Sequence, residues 1–358
     1  MHLGNEQVIN IDVLPSQCKS NLRWNGFYSE KHSLFYTATP KAACTTFKWW
    51  FADLVEKADA VRTVGGSLES SPELIIHDRF WRVAPDLTHL DAIAIARVLQ
   101  QSDTFSFCLV RNPFTRIFSA WQSKWLLQEP LQIGPYKNCE FLDLPVTSAA
   151  EVALAFEAFL EHIFSSEFPR IADLHVLAQK DLLCTDQMAY RMVGRMEAPE
   201  PMCHRLIEHL GAAYKNPFSF AKRNESLIPY DEALITARSE QLIRDMYAAD
   251  FESFGYDRKK PPTQSALTPG ETQIALKAVS LLRGRHQRIG EMRQEYQTAL
   301  NIFQQQLSLK QKDAERAMQN ASDFEGQSKL FRQEMVRAEA QLALMKELWL
   351  NEGKHDSL

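Results

Sequence analysis

The chain of 358 residues has no stretch that approaches the roughly 18 consecutive apolar residues a membrane helix needs. Its opening residues, Met1-His2-Leu3-Gly4-Asn5-Glu6-Gln7, hold no basic region followed by an apolar run, so no signal peptide is visible. There is no C-x-x-C pair: the six cysteines, Cys18, Cys44, Cys108, Cys139, Cys184 and Cys203, are widely spaced. That spacing matches neither a zinc site nor a disulfide-dense scaffold, and reduced thiols in a cytoplasmic protein are the expectation. There is no basic tail either. Forty Lys and Arg stand against 45 Asp and Glu, a net charge of −5, which gives no reason to expect nucleic acid as a partner. Any anion site must therefore be built locally, and no carboxylate cluster demands a metal.

Proline is also missing after Pro269-Gly270, whereas prolines, aromatics and turn signals are frequent before it. Gln, Glu, Lys, Arg, Ala and Leu dominate from Glu271 to Leu350. The shift, with the proline pair Pro261-Pro262, divides the chain into a domain over 1–262 and a helical segment over 263–358. In the first part, Ser33 to Ala38 and Thr104 to Val110 read as strands, and so does Leu74-Ile75-Ile76. Helical spacing is read over Thr45–Lys57, Asp91–Gln101 and Phe114–Leu127, and at about 148–164, 185–193, 200–211 and 231–249. Strands alternating with helices predict an α/β fold: a P-loop-like parallel sheet flanked by helices. From Phe303 a four-three spacing runs through Leu307, Lys310, Ala314, Ala317, Ala321, Phe324, Ser328, Phe331, Met335, Ala338, Leu342, Met345 and Trp349, a coiled-coil seam with small and polar defects in one long helix or a helical hairpin. Gly284, Gly290 and Gly326 weaken that helix locally, each by ~1 kcal/mol relative to alanine. A helix this polar needs a partner for its stripe; self-association into a homo-oligomer is the simplest, and packing back on the first domain is the alternative.

Two segments carry chemistry. Thr39-Pro40-Lys41-Ala42-Ala43-Cys44-Thr45-Thr46-Phe47 joins a strand to a helix. A helix N-terminus offers unpaired N–H groups and a partial positive charge, a seat for phosphate or sulfate oxygens. Ala42 and Ala43 are small enough for an anion to approach the backbone, Thr45 and Thr46 add hydroxyls, and Lys41 adds a point charge. The glycines of G-x-x-x-x-G-K-[ST] are lacking, so this is not a Walker A loop. The second segment, Phe107-Cys108-Leu109-Val110-Arg111-Asn112-Pro113-Phe114-Thr115-Arg116-Ile117-Phe118-Ser119-Ala120-Trp121, ends a strand on an arginine and starts a helix on Pro113. Arg111 offers forked donors and Ser119 a hydroxyl two turns on, a pairing suited to a phosphate monoester.

Together these segments resemble the two nucleotide signatures of the sulfotransferase superfamily, a phosphosulfate loop near P-K-x-[AG]-[CG]-T-[TSN] and a 3′-phosphate motif near R-[DNE]-P-[FY]-x-R-[LIF]-x-S-[AG]-[YW]. His175 to Cys184 (H-V-L-A-Q-K-D-L-L-C), Tyr190, Val193 to Glu197 (V-G-R-M-E), Asn224-Glu225-Ser226, Tyr247 and Asp250 to Tyr256 (D-F-E-S-F-G-Y) are similar to later segments of the chondroitin- and dermatan-type carbohydrate sulfotransferases. The resemblance covers about residues 30–258 and implies the sulfotransferase fold. It implies a sulfuryl donor, 3′-phosphoadenosine-5′-phosphosulfate, no metal, and a carbohydrate or other hydroxyl acceptor. Lys41, Ala42, Ala43, Cys44, Thr45 and Thr46 would hold the 5′-phosphosulfate, and Arg111 and Ser119 the 3′-phosphate. Lys41 would also stabilise the bridging oxygen as the sulfuryl group departs. Golgi members carry an N-terminal anchor that is not seen here, so a bacterial or other cytosolic member is expected. Members often bridge the cysteine of the L-C segment; Cys184 is followed by Thr185-Asp186, and that bridge is not expected.

In-line transfer needs a base for the acceptor proton, and histidine suits neutral pH. His77, after the strand read at Leu74-Ile75-Ile76, is the first choice, with His175 and His89 as rivals and Glu69 and Glu73 also open. Arg79 and Arg82 would attract an acidic acceptor. Trp81, Trp121 and Trp125 are either sugar-stacking faces or core, and core is the expectation. Acceptor choice is assigned to loops at about 60–90 and 128–148. Two other readings stay open at this point: a non-catalytic coiled-coil scaffold carrying a relic domain, and a P-loop nucleotide kinase, which would need the glycine-rich loop and a metal-holding aspartate that are not seen.

Overall fold

A computed structural model describes residues 14–352 apart from 68, 70, 89, 91, 166–172 and 220–225. His89 and the pair Asn224-Glu225 thus lie outside the described residues. The elements run α1 (Ser16–Asn25), β1 (Gly26–Ser29), β2 (Leu34–Thr37), α2 (Cys44–Leu54), α3 (Ala58–Thr63), α4 (Ile76–Val83), α5 (Ala92–Gln100), β3 (Phe105–Val110), α6 (Pro113–Trp121), α7 (Ala149–Ser165), α8 (Gln179–Leu183), β4 (Met192–Arg195), α9 (Glu200–Leu210), α10 (Ala237–Met246), α11 (Ala248–Phe254) and α12 (Pro269–Glu352).

The sheet order is β1-β2-β3-β4. β2, β3 and β4 are parallel, and β1 adds an antiparallel edge to the expected parallel sheet. β2 and β3 are buried at every position, which is why they read as apolar runs broken only by the small polar residues Thr37 and Ser106. Pairing of Thr37 with Cys108, and of Val110 with Arg195, brings the C-terminal ends of β2, β3 and β4 to one edge of the sheet. The segments after these strands, starting at Thr39, Arg111 and Met196, therefore emerge side by side, where ligands gather in open α/β sheets. Gly194 on β4 is needed for packing: a Cβ there would lie 2.6 Å from Met202 Sδ on α9.

Three sequence expectations are corrected. Leu74-Ile75-Ile76 is not a strand; Leu74 and Ile75 form a turn and Ile76 opens α4, where buried Ile76 and Phe80, with Ala84 just past the helix end, recur every four residues, so the helical period wins over the short apolar run. Residues 185–193 are not a helix: Cys184, at φ 49°, ends α8, turns follow, and β4 begins at Met192. Nor are all the thiols reduced, because Cys18 on α1 is disulfide-bonded to Cys184, with Cα atoms 6.0 Å apart. This bridge ties α1 to the end of α8.

α12 is one helix rather than a hairpin, and it runs through Gly284, Gly290 and Gly326. A capping box opens it. Thr268 Oγ1 accepts from Glu271 N, Thr268 N donates to Glu271 Oε2, and Pro269 takes the first position. The chain divides into compact units Met1–Gly290 and Glu291–Leu358. The first turns of α12 thus belong to the first unit, where Ala275, Leu276 and Val279 join the core and Arg283 and His286 bond the carbonyls of Leu126 and Leu127. In the second unit the side chains of Phe303, Leu307, Phe324, Phe331 and Leu342 are exposed. Among the described residues no helix is long and apolar enough to cross a membrane.

Candidate active site

The loop after β2 is built from residues that glycine would usually supply. Lys41 (φ 69°) and Ala43 (φ 53°) both sit in the left-handed region, a conformation that in non-glycine residues clusters at ligand-binding turns. Ala43 then starts α2 without a side-chain cap, so the first N–H groups of that helix are left for a ligand. The loop after β3 is anchored differently. Asn112 Oδ1 caps α6 by accepting from Phe114 N at 2.9 Å, with Pro113 at the first helical position.

The two loops touch. Arg111 donates from Nη1 to the Lys41 carbonyl at 3.3 Å and from Nε to Thr115 Oγ1 at 3.1 Å. Its backbone is clamped by Gln179, which accepts from Arg111 N and donates to Arg111 O, each at 2.8 Å. Glu197 accepts from Asn112 N and from the Tyr256 hydroxyl. Asp250 accepts from the N–H groups of Gln179 and Lys180 that open α8. The later segments that carried the sequence resemblance thus brace the Arg111 junction. Arg116, 1% exposed, donates to the carbonyls of Pro40, Leu177 and Leu174.

Beside these junctions opens a cleft of about 240 Å³. Lys41, Cys44 and Thr45 line it from the loop after β2 and from α2, His77 from α4, and His175 and Leu174 from the segment before α8. Glu69 and Leu74, and Leu131 and Gln132, also line it, so both expected acceptor loops contribute. Arg111 meets the site through Lys41, and Ser119 is almost buried two turns into α6; neither is among the cleft-lining residues. Trp121 and Trp125 are core, whereas Trp24, at the cleft, and Trp81 are exposed and meet edge to face.

The sequence reading missed several charged members. After Trp121 the helix widens to a π-turn over Gln122–Leu126, a form common at functional sites, and this turn carries Ser123 and Lys124. Ser123 Oγ accepts from Lys41 Nζ at 2.7 Å. Burial, reinforced by Lys124 and Arg111, brings the Lys41 ammonium down to about 7. Burial likewise pushes Glu69 up to about 7, against the pull of Lys124.

Lys48, on the buried face of α2, ends a polar chain whose direction is fixed at its far end. The Leu182 carbonyl can only accept, so Asn21 Nδ2 donates to it (3.0 Å), Asn21 Oδ1 accepts from Asn25 Nδ2 (2.8 Å), and Asn25 Oδ1 accepts from Lys48 Nζ (2.8 Å). Burial lowers the proton affinity of Lys48, and in its ammonium form it can only donate, so His77 Nδ1, 3.1 Å from Lys48 Nζ, is then the acceptor. The ring proton of His77 is therefore on Nε2 and donated to Thr45 Oγ1 at 3.0 Å, leaving the Thr45 hydroxyl hydrogen for a ligand. Burial first, then Lys48, holds His77 well below its ordinary value, so the ring is neutral.

His175 has the opposite arrangement. Its Nδ1 lies 3.0 Å from Asp173 Oδ1, and Asp173 also accepts from Tyr136 and Gln132. Burial alone would raise Asp173, but the hydrogen bonds from His175 and Tyr136 prevail and hold it below the usual carboxylate range. No group of three or more His, Cys, Asp or Glu side chains able to hold a metal gathers among the described residues.

The profile of the sulfotransferase family matches residues 24–257. The chain is similar to carbohydrate sulfotransferase 10 of Xenopus laevis, 24% identical over 255 residues that make up 66% of this chain and 68% of the relative. It is also similar to carbohydrate sulfotransferase 10 of Danio rerio, 24% identical over 291 residues, 72% of this chain and 76% of the relative. To carbohydrate sulfotransferase 12 of Mus musculus it is 24% identical over 254 residues, 64% of this chain and 59% of the relative. No solved structure matches the chain.

Proposed function

Because this chain belongs to the sulfotransferase family, we propose that it moves a sulfuryl group from 3′-phosphoadenosine-5′-phosphosulfate to a hydroxyl of a carbohydrate by in-line displacement. The observation that carries this reading is the contact between the two strand-to-helix junctions, where Arg111 Nη1 donates to the Lys41 carbonyl. One nucleotide with an anion at each end fits such a pair of adjoining cationic loops. Lys41, Thr45, Thr46 and the first N–H groups of α2 hold the 5′-phosphosulfate, with Ala42, Ala43 and Cys44 forming the loop wall. Arg111 and Ser119 hold the 3′-phosphate. Lys41 neutralises the bridging oxygen as it takes up charge, the main route to catalysis when a group transfers between oxygens. A carbohydrate acceptor is supported by the names of the relatives and by Trp24, whose exposed ring at the cleft offers a flat face to a sugar.

Thermal shift with 3′-phosphoadenosine-5′-phosphate tests the donor. A hundredfold excess over Kd adds about 2.7 kcal/mol, a rise of several degrees in Tm. ATP, which lacks the 3′-phosphate, should give a much smaller rise. Equal stabilisation by both, or none by the 3′-phosphorylated nucleotide, rejects the reading.

We further propose that the chain is a homo-oligomer through α12, because Phe324, Phe331 and Leu342 of the four-three stripe are exposed on it. Light scattering on the full chain should give a multimer, and the triple variant Phe324→Glu, Phe331→Glu, Leu342→Glu a monomer. A monomeric parent refutes the idea.

A further inference from the structure

Two histidines line the cleft, and their hydrogen-bond partners assign them opposite tautomers. His77 turns its acceptor nitrogen, Nδ1, to Lys48, and its protonated Nε2 to Thr45. It has no lone pair left for an acceptor hydroxyl. His175 turns Nδ1–H to Asp173, so Nε2 keeps its lone pair on a ring that lines the cleft. The Trp125 ring meets His175 edge to face, 6.4 Å between centroids, and Asp173 is itself fixed by Tyr136 and Gln132. A carboxylate that orients a histidine and fixes its tautomer is the arrangement a general base needs.

Resting on the donor reading above, we propose that His175 is the base that takes the acceptor's proton, that Asp173 orients it, and that His77 is a positioning residue holding Thr45 at the donor loop. As the acceptor oxygen gives a lone pair to sulfur, its proton passes to His175 Nε2. The bond from sulfur to the bridging oxygen breaks and its electron pair stays on that oxygen. The products are the sulfate ester, 3′-phosphoadenosine-5′-phosphate and an imidazolium beside Asp173, which returns its proton to solvent. The groups facing His175 are Asp173, Lys41 of the donor loop, Lys124 of the π-turn and His77 of α4, while Arg116 binds the neighbouring Leu174 carbonyl. Burial and the lysines outweigh Asp173 and hold the ring below its ordinary value. The sign follows: turnover rises as pH climbs through that lowered value, the acid limb, and has levelled off by neutral pH.

The test uses the full chain. Nitrogen-15 NMR of the histidine rings at pH 7 should show His175 protonated on Nδ1 and His77 on Nε2; the reverse pattern at His175 overturns the proposal, and no acceptor is needed to see it. Calorimetry should show 3′-phosphoadenosine-5′-phosphate binding equally to the parent and to His175→Ala. Sulfate transfer to desulfated chondroitin, or to water read as nucleotide release, should fall about 10²–10⁴-fold in His175→Ala and Asp173→Asn, with loss of the acid limb. His77→Gln should weaken nucleotide binding and keep that limb. If His77→Gln removes the acid limb, or His175→Ala keeps the parent's rate, the base is not His175 while the donor reading stands. If the parent does not bind the nucleotide at all, the donor reading falls and this proposal with it.

Discussion

Replacing Lys41 with alanine should lower turnover about 10²–10³-fold, the usual effect of removing one donor from a site of developing negative charge, while the melting temperature stays near that of the parent. The backbone makes the substitution clean. Lys41 is at φ 69°, and both lysine and alanine bear the Cβ that is disfavoured there, so the strain is unchanged. Glycine would relieve it and confound the comparison. Among the described residues the side-chain hydrogen bond given up is that to Ser123, and a buried cation is removed with it.

The pH dependence separates a charge effect from a packing effect. With the ammonium near 7 in the free chain, Lys41 is largely neutral at pH 8. Binding a polyanion favours the charged form, so the Lys41 amine takes up a proton as the complex forms above pH 7. Its affinity should therefore fall as pH rises past 7, by as much as tenfold per pH unit. Calorimetry in buffers of different ionisation enthalpy counts that proton. In Lys41→Met, which keeps the side-chain bulk, the slope and the proton uptake should both vanish. Uptake that persists in the variant assigns the proton to another group and rejects the role of Lys41.

Both strand-to-helix junctions were legible because each combines a strong local pattern with a strong stop. β2 and β3 are apolar at nearly every position, and Pro113 and Asn112 mark a helix start that the structure keeps. β1 and β4 escaped notice for want of such a pattern. β2 is no longer than β1 and β4, but it is apolar or aromatic at three of its four positions; β1 has only Phe27-Tyr28 between Gly26 and Ser29, and in β4 only Gly194 is buried, so neither shows an apolar run. The rest of the site comes from tertiary proximity. Lys48 matters through Asn25, 23 positions away, and Asp173 through Tyr136, 37 away. A faint signal existed for both. Lys48 stands inside the aromatic run Phe47-Lys48-Trp49-Trp50-Phe51, where a charge must be either buried or misplaced, and Asp173 precedes His175 by two residues. His77 was found by its place in the chain for a reason that failed, since the strand said to precede it is a turn entering α4, yet the side chain does reach the cleft.

The largest loss of stability should come from Arg116→Ala. The guanidinium is 1% exposed and has three carbonyl partners: Pro40 before the donor lysine, and Leu174 and Leu177 on either side of the His175 segment. Burial lowers its proton affinity, with Tyr247 and Asp250 nearby acting in the other direction. Truncation leaves three carbonyls without donors and a void where the side chain was. Breaking a buried charged network of this kind costs about 3–5 kcal/mol. For a unit of this size that is roughly a 10 °C fall in Tm, to be read by calorimetry or urea unfolding. Lysine at this position keeps the charge but not the fork, and cannot span three acceptors, so Arg116→Lys should recover only part of the loss. The loss should also reach function, because the same side chain pins the loop that offers Lys41 and the segment that offers His175. Below the melting transition, Arg116→Lys should therefore bind the nucleotide more weakly and turn over more slowly, unlike a core substitution that only lowers Tm. An Arg116→Ala chain within 1 kcal/mol of the parent would mean that water replaces the guanidinium at these carbonyls, and that the two loops are held by other contacts.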